Sequence, residues 1–203
     1  MNITGDWTNN GGTFTTGTGT VTFNGTGNQN ITSNGRSFYN FTVDKTSGSA
    51  VLQDALTVTN DLTIQSGTLN ANGKTITVSG NWSNFGNYIS GNNTVIFNDN
   101  TKTSTISGDT DFYNVTCSTS GKHITFTSGS TQTIEGSLTL HGAIASLIVL
   151  RASGLGQWNI DIEGTTDITF VDMKDSNNIG IVTTIETSRN SGNNTGWIFL
   201  PVS

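Results

Sequence analysis

Asp109 and Asp111 stand two residues apart, as do Asp161 and Glu163, and that spacing puts both carboxylates of a pair on one side of an extended strand. Two chemistries fit such pairs. A Ca²⁺ ion takes roughly six to eight oxygen ligands, and two carboxylates can act as acid and base on a glycosidic bond. The plainer reading is solvent-facing charge: in Asn159-Ile160-Asp161-Ile162-Glu163 the isoleucines turn inward and the acids outward. Asp109 and Asp111 are the metal candidates. Trp158, Asp161 and Glu163 are the ligand-binding candidates, because an exposed indole beside acids and amides can stack on a sugar ring. His123 and His141 are the only histidines and Cys117 the only cysteine, too few for a transition-metal site built on these residues and leaving no internal disulfide. The chain has no Gly-x-Ser-x-Gly elbow and no Gly-x-Gly-x-x-Gly loop. It also lacks the Gly-Gly-x-Gly-x-Asp repeat of calcium β-rolls. The expectation is that no residue is catalytic and that the protein is not an enzyme.

Threonines raise a different chemistry. Thr-x-Thr pairs occur at Thr13/Thr15, Thr20/Thr22, Thr57/Thr59, Thr75/Thr77, Thr125/Thr127 and Thr131/Thr133. Stacked on one flat face they would form an ice-binding plane or an outward Thr/Asn surface for carbohydrate.

The elements that must position these residues are short strands. Alternating apolar and polar residues in Tyr39-Asn40-Phe41-Thr42-Val43 and Thr75-Ile76-Thr77-Val78 place one face inward and the other outward. Asn-Gly, Ser-Gly, Gly-Asn and Gly-Asp pairs between the strands suit tight corners that need positive φ. No window carries a capped apolar stripe of helical period. The chain also repeats itself. Gly5-Asp6-Trp7-Thr8-Asn9 returns as Gly80-Asn81-Trp82-Ser83-Asn84. Thr20-Val21-Thr22-Phe23-Asn24 returns as Thr94-Val95-Ile96-Phe97-Asn98. Phe38-Tyr39-Asn40-Phe41-Thr42-Val43 returns as Phe112-Tyr113-Asn114-Val115-Thr116-Cys117. The offsets are 74 or 75 residues, and self-similarity of this kind marks a repeat architecture. The fold expected is all-β: a right-handed, single-stranded parallel β-helix, a β-solenoid of about 8–10 coils carrying a duplicated unit of about 75 residues. One elongated domain spans 1–203, with repeat unit one at 1–79, unit two at 80–141 and divergent C-terminal coils and a cap at 142–203. A unit of this length would make three or four coils. The duplication also assigns Trp7, Trp82 and Cys117, the counterpart of Val43, to packing.

Composition agrees. Thr (37), Asn (25), Gly (25) and Ser (21) make up more than half of the 203 residues, and 32% are hydrophobic. Such a chain cannot fill a thick core but can fill a narrow one that extends in one dimension. A formal charge of −6 with eight scattered basic residues excludes nucleic acid as a partner, since counterion release needs clustered Lys and Arg. The longest apolar run, Ala143 to Leu150, is too short to cross a membrane. No signal-peptide pattern follows Met1, so the expectation is either export by other means or, the favoured reading, a piece cut from a larger precursor.

The Trp-x-Asn, Phe-Tyr-Asn-x-Thr and Leu62-to-Leu69 patterns resemble repeat modules of large secreted bacterial and archaeal surface proteins, adhesin-like or autotransporter-passenger-like. The ending, Asp172-Met173-Lys174-Asp175-Ser176 through Gly192-Asn193-Asn194-Thr195-Gly196-Trp197-Ile198-Phe199 and out at Pro201, resembles the segment that closes such arrays. The resemblance implies a non-enzymatic extracellular structural role at the cell surface: adhesin stalk, fibre or sheath element. It implies no cofactor, and as partners other copies of the chain or adjoining repeats. A carbohydrate- or ice-binding module is the alternative.

Overall fold

The computed structural model describes residues 1–200. Pro201, and with it the expected exit of the chain, lies outside them. Among the described residues there is no helix, and every strand-to-strand ladder is parallel. The strands stack as a β-solenoid of about nine turns.

Each coil has three faces. The first runs through Asn2–Ile3, Thr20–Phe23, the starts of Asn40–Leu52 and Leu62–Asn70, then Trp82–Asn84, Thr103–Ser107, His123–Phe126, Ile148–Ala152, Val171–Met173 and Arg189–Asn190. The second carries Trp7–Thr8, Gln29–Thr32, the ends of Asn40–Leu52 and Leu62–Asn70, Asn87–Ile89, the starts of Thr110–Cys117 and Thr131–His141, Trp158–Ile162 and Ser176–Asn178. The third carries Leu56–Val58, Ile76–Val78, Thr94–Phe97, the ends of Thr110–Cys117 and Thr131–His141, Thr165–Thr169, Thr183–Ile185 and Trp197–Phe199.

Period-2 alternation sets what points inward. Val21, Phe23, Phe41, Val43, Leu62, Ile64, Trp82, Ile106, Ile124, Phe126, Ile148 and Leu150 follow one another down the inside of the first face, all buried. At parallel-sheet spacing each coil advances about 4.8 Å, so these residues touch across coils and form one continuous narrow core. Corners are turned where φ goes positive, as at the Asn34-Gly35 pair (51° and 73°) and the Asn72-Gly73 pair (50° and 70°). At Gly164 the constraint is space: a Cβ there would lie 1.8 Å from the Gly136 carbonyl oxygen of the coil before. The coil-to-coil offset runs from 14 residues (Thr183 to Trp197) to 28 (Ile134 to Ile162), according to corner length.

The duplicated blocks do not fall on the same face. Thr20–Phe23 lies on the first face, but its counterpart Thr94–Phe97 lies on the third. Trp7 is on the second face and Trp82 on the first. Residues 40–43 are on the first and 114–117 on the third. The unit is therefore three turns and two faces long rather than a whole number of coils, and the second copy is rotated by one face against the first. Local surroundings survive the rotation. Asn40 Nδ2 donates to Thr20 Oγ1 at 3.2 Å, and Asn114 Nδ2 donates to Thr94 Oγ1 at 3.4 Å. Asp6 Oδ1 accepts from the Asn30 N–H and Asn81 Oδ1 from the Thr105 N–H, both at 2.8 Å.

The apolar run from Ala143 to Leu150 does not stay together. An antiparallel bridge from Ala143 to Ser146 makes a small excursion at a corner, leaving Ile144 86% exposed while Ile148 and Leu150 are buried. Among the described residues no helix is long and apolar enough to cross a membrane.

Candidate functional site

Trp158 opens the second-face strand Trp158–Ile162. It points inward and is 1% exposed, its indole stacked on Phe126 with centroids 3.8 Å apart and planes at 10°. The expectation of an exposed sugar platform is corrected here: the inward-outward alternation that buries Ile160 and Ile162 runs unbroken back to residue 158. Trp158 shares the inward parity of the isoleucines. Its Nε1 and the Oε1 of Gln132 are both buried without a hydrogen-bond partner. Asp161 and Glu163 do turn outward, flanking the buried Ile160 and Ile162.

Asp109 and Asp111 are both exposed but do not belong to one strand. Asp109 sits at the corner before Thr110–Cys117, where its Oδ1 accepts from the Thr131 N–H of the next coil at 2.8 Å. Asp111 is exposed and lies opposite Thr133, which in turn lies opposite Asp161. Asp111 and Asp161 thus belong to one outward column, two coils and roughly 9–10 Å apart at parallel-sheet spacing. Among the described residues no three of His, Cys, Asp and Glu converge as a metal-holding group.

Several other acids cap neighbouring coils. Asp54 Oδ1 accepts from the Ser33 N–H at 2.8 Å, and Asp61 Oδ1 from the Asn81 N–H at 2.8 Å. A carboxylate on a backbone N–H at a corner meets a donor that no strand ladder satisfies. Outward amides and hydroxyls tie coils in the same way. Asn60 Nδ2 donates to Asn40 Oδ1 and Ser137 Oγ to Asn114 Oδ1, both at 2.8 Å. Asn177 Nδ2 donates to Asn159 Oδ1 at 2.9 Å.

Threonines form one sustained column. On the first face Thr22, Thr42, Thr63, Ser83 and Ser107 stand in register, coil after coil, and Thr127 Oγ1 continues it by donating to Ser107 Oγ at 3.1 Å. The column beside it is mixed: Thr20 and Asn40 pair in register, and Asn81 then bonds the Thr105 backbone. On the third face the run Thr57, Thr77, Thr116, Thr139 is broken by Ile96. Ile96 stands at the repeat position of Thr22, and the rotation of the second copy carries it from the first face to the third.

Lysines, which gave no sequence signal, make the most specific polar contacts. Lys122 is fully buried at a corner between the third and first faces. Its ammonium donates to the carbonyl oxygens of Ser79, Asp99 and Lys102, each at 3.0 Å. Burial pulls its pKa below the ordinary lysine value, and the three oxygens replace the water it has lost. One coil earlier, Lys102 makes the same reach, donating to the Thr59 carbonyl at 2.6 Å. Lys45, also buried, donates to the Gly25 carbonyl at 2.5 Å and to Gln29 Oε1 at 2.6 Å. The remaining capacity of Gln29 is used as well: its Nε2 donates to the carbonyls of Ile3 and Gly5.

Near the C-terminal end Asp172 accepts from Ser191 Oγ at 2.6 Å and pairs with Arg151 at 3.0 Å, with Arg189 at 3.8 Å. Burial works to raise its pKa, but Ser191 and the two guanidiniums together hold it below the usual carboxylate range. His141 and Asp167 pair at 2.9 Å on the third face. Cys117 is buried, and desolvation pushes its thiol pKa up, the opposite of a reactive thiolate.

The molecule is thus a parallel β-solenoid repeat protein whose specific polar contacts mostly join one coil to another. No family model, curated protein or solved structure matches the chain.

Proposed function

We propose that the protein is a non-enzymatic structural element, a rigid rod that serves as stalk, fibre or sheath material on the outside of a cell. One observation carries this reading: the side chains with the strongest hydrogen-bonding capacity are spent between coils. Lys122 spans three successive coils, acids cap the next coil's backbone, and Asn and Ser ladders run along the faces. Stability in such a stack is a sum over coils and the interfaces between them, so strengthening the interfaces stiffens the rod. At parallel-sheet spacing nine turns make a body roughly 45 Å long. Small-angle scattering should give an elongated particle of that length, and pulling on the two ends should give resistance that drops when the inter-coil ties are removed. A compact particle, or pulling curves indifferent to the ties, would overturn the reading. Antibody labelling of intact cells that make the protein tests the extracellular placement.

The hydroxyl column Thr22, Thr42, Thr63, Ser83 and Ser107 favours a second reading, a binding face for ice or carbohydrate. It is a single column, bounded by amides and acids already bonded across coils. Thermal hysteresis, or retention on polysaccharide, that is lost in Thr42→Val and Thr63→Val would establish it over the structural role.

A further inference from the structure

Asn-Gly occurs four times, at residues 10–11, 24–25, 34–35 and 72–73. In such a pair the glycine nitrogen can attack the asparagine side chain, because glycine places no Cβ in the way. The attack needs that nitrogen free of hydrogen bonds and the asparagine free to turn about its Cα–C bond. The fold meets these needs unequally at the four positions.

Two of the pairs stand at the same corner, between the second and third faces, in turns of one kind. In the first, Asn34 and Gly35 have φ of 51° and 73°, and the Arg36 N–H donates to the Ser33 carbonyl at 3.1 Å. In the second, Asn72 and Gly73 have φ of 50° and 70°, and the Lys74 N–H donates to the Ala71 carbonyl at 2.8 Å. Asn34, Gly35, Asn72 and Gly73 are all exposed. What differs is the neighbouring coils. The Gly73 N–H donates to the Ser90 carbonyl of the next coil at 3.3 Å, and Asn72 Nδ2 to the Leu52 carbonyl of the coil before at 3.1 Å. Among the described residues nothing accepts from the Gly35 N–H, and the Asn34 side-chain amide bonds to nothing. The next coil brings a carboxylate to this turn. Asp54 accepts from the Ser33 N–H at 2.8 Å and from the Asn34 N–H at 2.5 Å. Both donors precede the Cα–C bond of Asn34, so neither stops it from turning.

The remaining pairs are tied. The Gly25 N–H donates to Gln29 Oε1 at 2.9 Å, and the Gly25 carbonyl accepts from the Lys45 ammonium. A Cβ on Gly25 would lie 2.1 Å from the Thr4 carbonyl oxygen, so this backbone is held against its neighbour. The Gly11 N–H donates to Asn9 Oδ1 at 2.8 Å in an exposed loop.

We propose that Asn34 is the residue at which this chain modifies itself first, by deamidation through a cyclic imide. The Gly35 nitrogen bonds to Asn34 Cγ, the bond from Cγ to the side-chain nitrogen breaks, and the proton of the Gly35 N–H leaves, through solvent, with that nitrogen as ammonia. Water then opens the ring at one of its two carbonyls, leaving aspartate or isoaspartate at position 34. Either product sets a new carboxylate beside Asp54. The reaction takes only solvent water, and the site requires neither the structural role proposed above nor any partner.

The test is peptide mapping by mass spectrometry on the full chain, held folded at mildly alkaline pH. Asn34 should convert about tenfold faster than Asn72, the factor that the two extra hydrogen bonds supply, and ahead of Asn24 and Asn10. The rate should climb with pH, since the nitrogen attacks after losing its proton. In urea the four sites should react at similar rates, because all share the same dipeptide. Asn34→Gln should leave the circular dichroism unchanged and remove the leading product. The proposal is overturned if Asn72, Asn24 or Asn10 leads in the folded chain, if Asn34 converts only in urea, or if the gap between Asn34 and Asn72 persists there.

Discussion

Replacing Lys122 by Met removes one ammonium and keeps the length and flexibility of the side chain. In the native protein that ammonium makes three charge-assisted hydrogen bonds at 3.0 Å to the carbonyls of Ser79, Asp99 and Lys102. At about 1.5–3 kcal/mol each, their gross contribution is about 5–9 kcal/mol. Holding a cation away from water costs several kcal/mol, and Met does not incur that cost. Two of the carbonyls also keep another donor, Ser104 Oγ on Ser79 at 3.4 Å and the Lys102 N–H on Asp99 at 3.2 Å. The net loss should therefore be about 2–4 kcal/mol, or roughly 5–15 °C in Tm for a chain of this size. The bonds span three successive coils, and cooperativity in a solenoid rests on such nearest-neighbour coupling. Urea unfolding followed by tryptophan fluorescence should then split, with the N-terminal coils holding Trp7 and Trp82 separating from the C-terminal coils holding Trp158 and Trp197. Lys102→Met is the internal control: this lysine is 34% exposed and bonds one carbonyl closely, so its loss should cost about 1 kcal/mol or less. If Lys122→Met unfolds in one transition within about 0.5 kcal/mol of wild type, buried lysines do not tie the coils together.

Four further outcomes follow from the same geometry. Gly164→Ala sets a methyl 1.8 Å from the Gly136 carbonyl, and since backbone on both sides must move, it should lower stability by about 3 kcal/mol or more in chemical denaturation. Asn40→Ala and Asn114→Ala should cost similar amounts, about 1–2 kcal/mol each, because both bond the coils before and after them despite lying on different faces; unequal losses in melting would show that the rotation changed their roles. The carboxyl of Asp172 has a lowered pKa in the folded protein, so its contribution is fully present above the unfolded value of about 3.9 and is lost as pH falls through the folded value; an acid titration should show wild type losing its advantage over Asp172→Asn below about pH 4. Cys117, buried with a raised thiol pKa, should resist alkylation at neutral pH in the native protein and react at once in denaturant, as read by mass spectrometry.

Much of the architecture was legible in local sequence. Strand alternation, corner dipeptides and the scarcity of helix formers are local signals, and Phe41, Val43, Ile76 and Val78 face inward as their parity requires. The inward isoleucines and outward acids of residues 159–163 followed the same rule. Trp158 obeys it too, and its parity with Ile160 placed it inside; only the large polar-tipped ring suggested exposure. Asp109 and Asp111 looked like a pair on one strand because spacing cannot reveal where a strand begins, and this one begins at Thr110, leaving Asp109 at the corner before it.

What the sequence determined by itself was the kind of object: an all-β stack of short parallel strands with a thin core, carrying a duplicated segment. Side-chain parity and corner chemistry act over a few residues and leave their mark there. The tertiary structure decided which face each residue occupies, and so which residues stand in one column. Face position depends on the summed lengths of every corner before it, so a 74-residue duplication lands three turns and two faces onward and carries its threonines off the column they began on. It also decided the role of the lysines. Lys122 meets Ser79 across 43 residues, and only the winding of the chain brings that carbonyl to it.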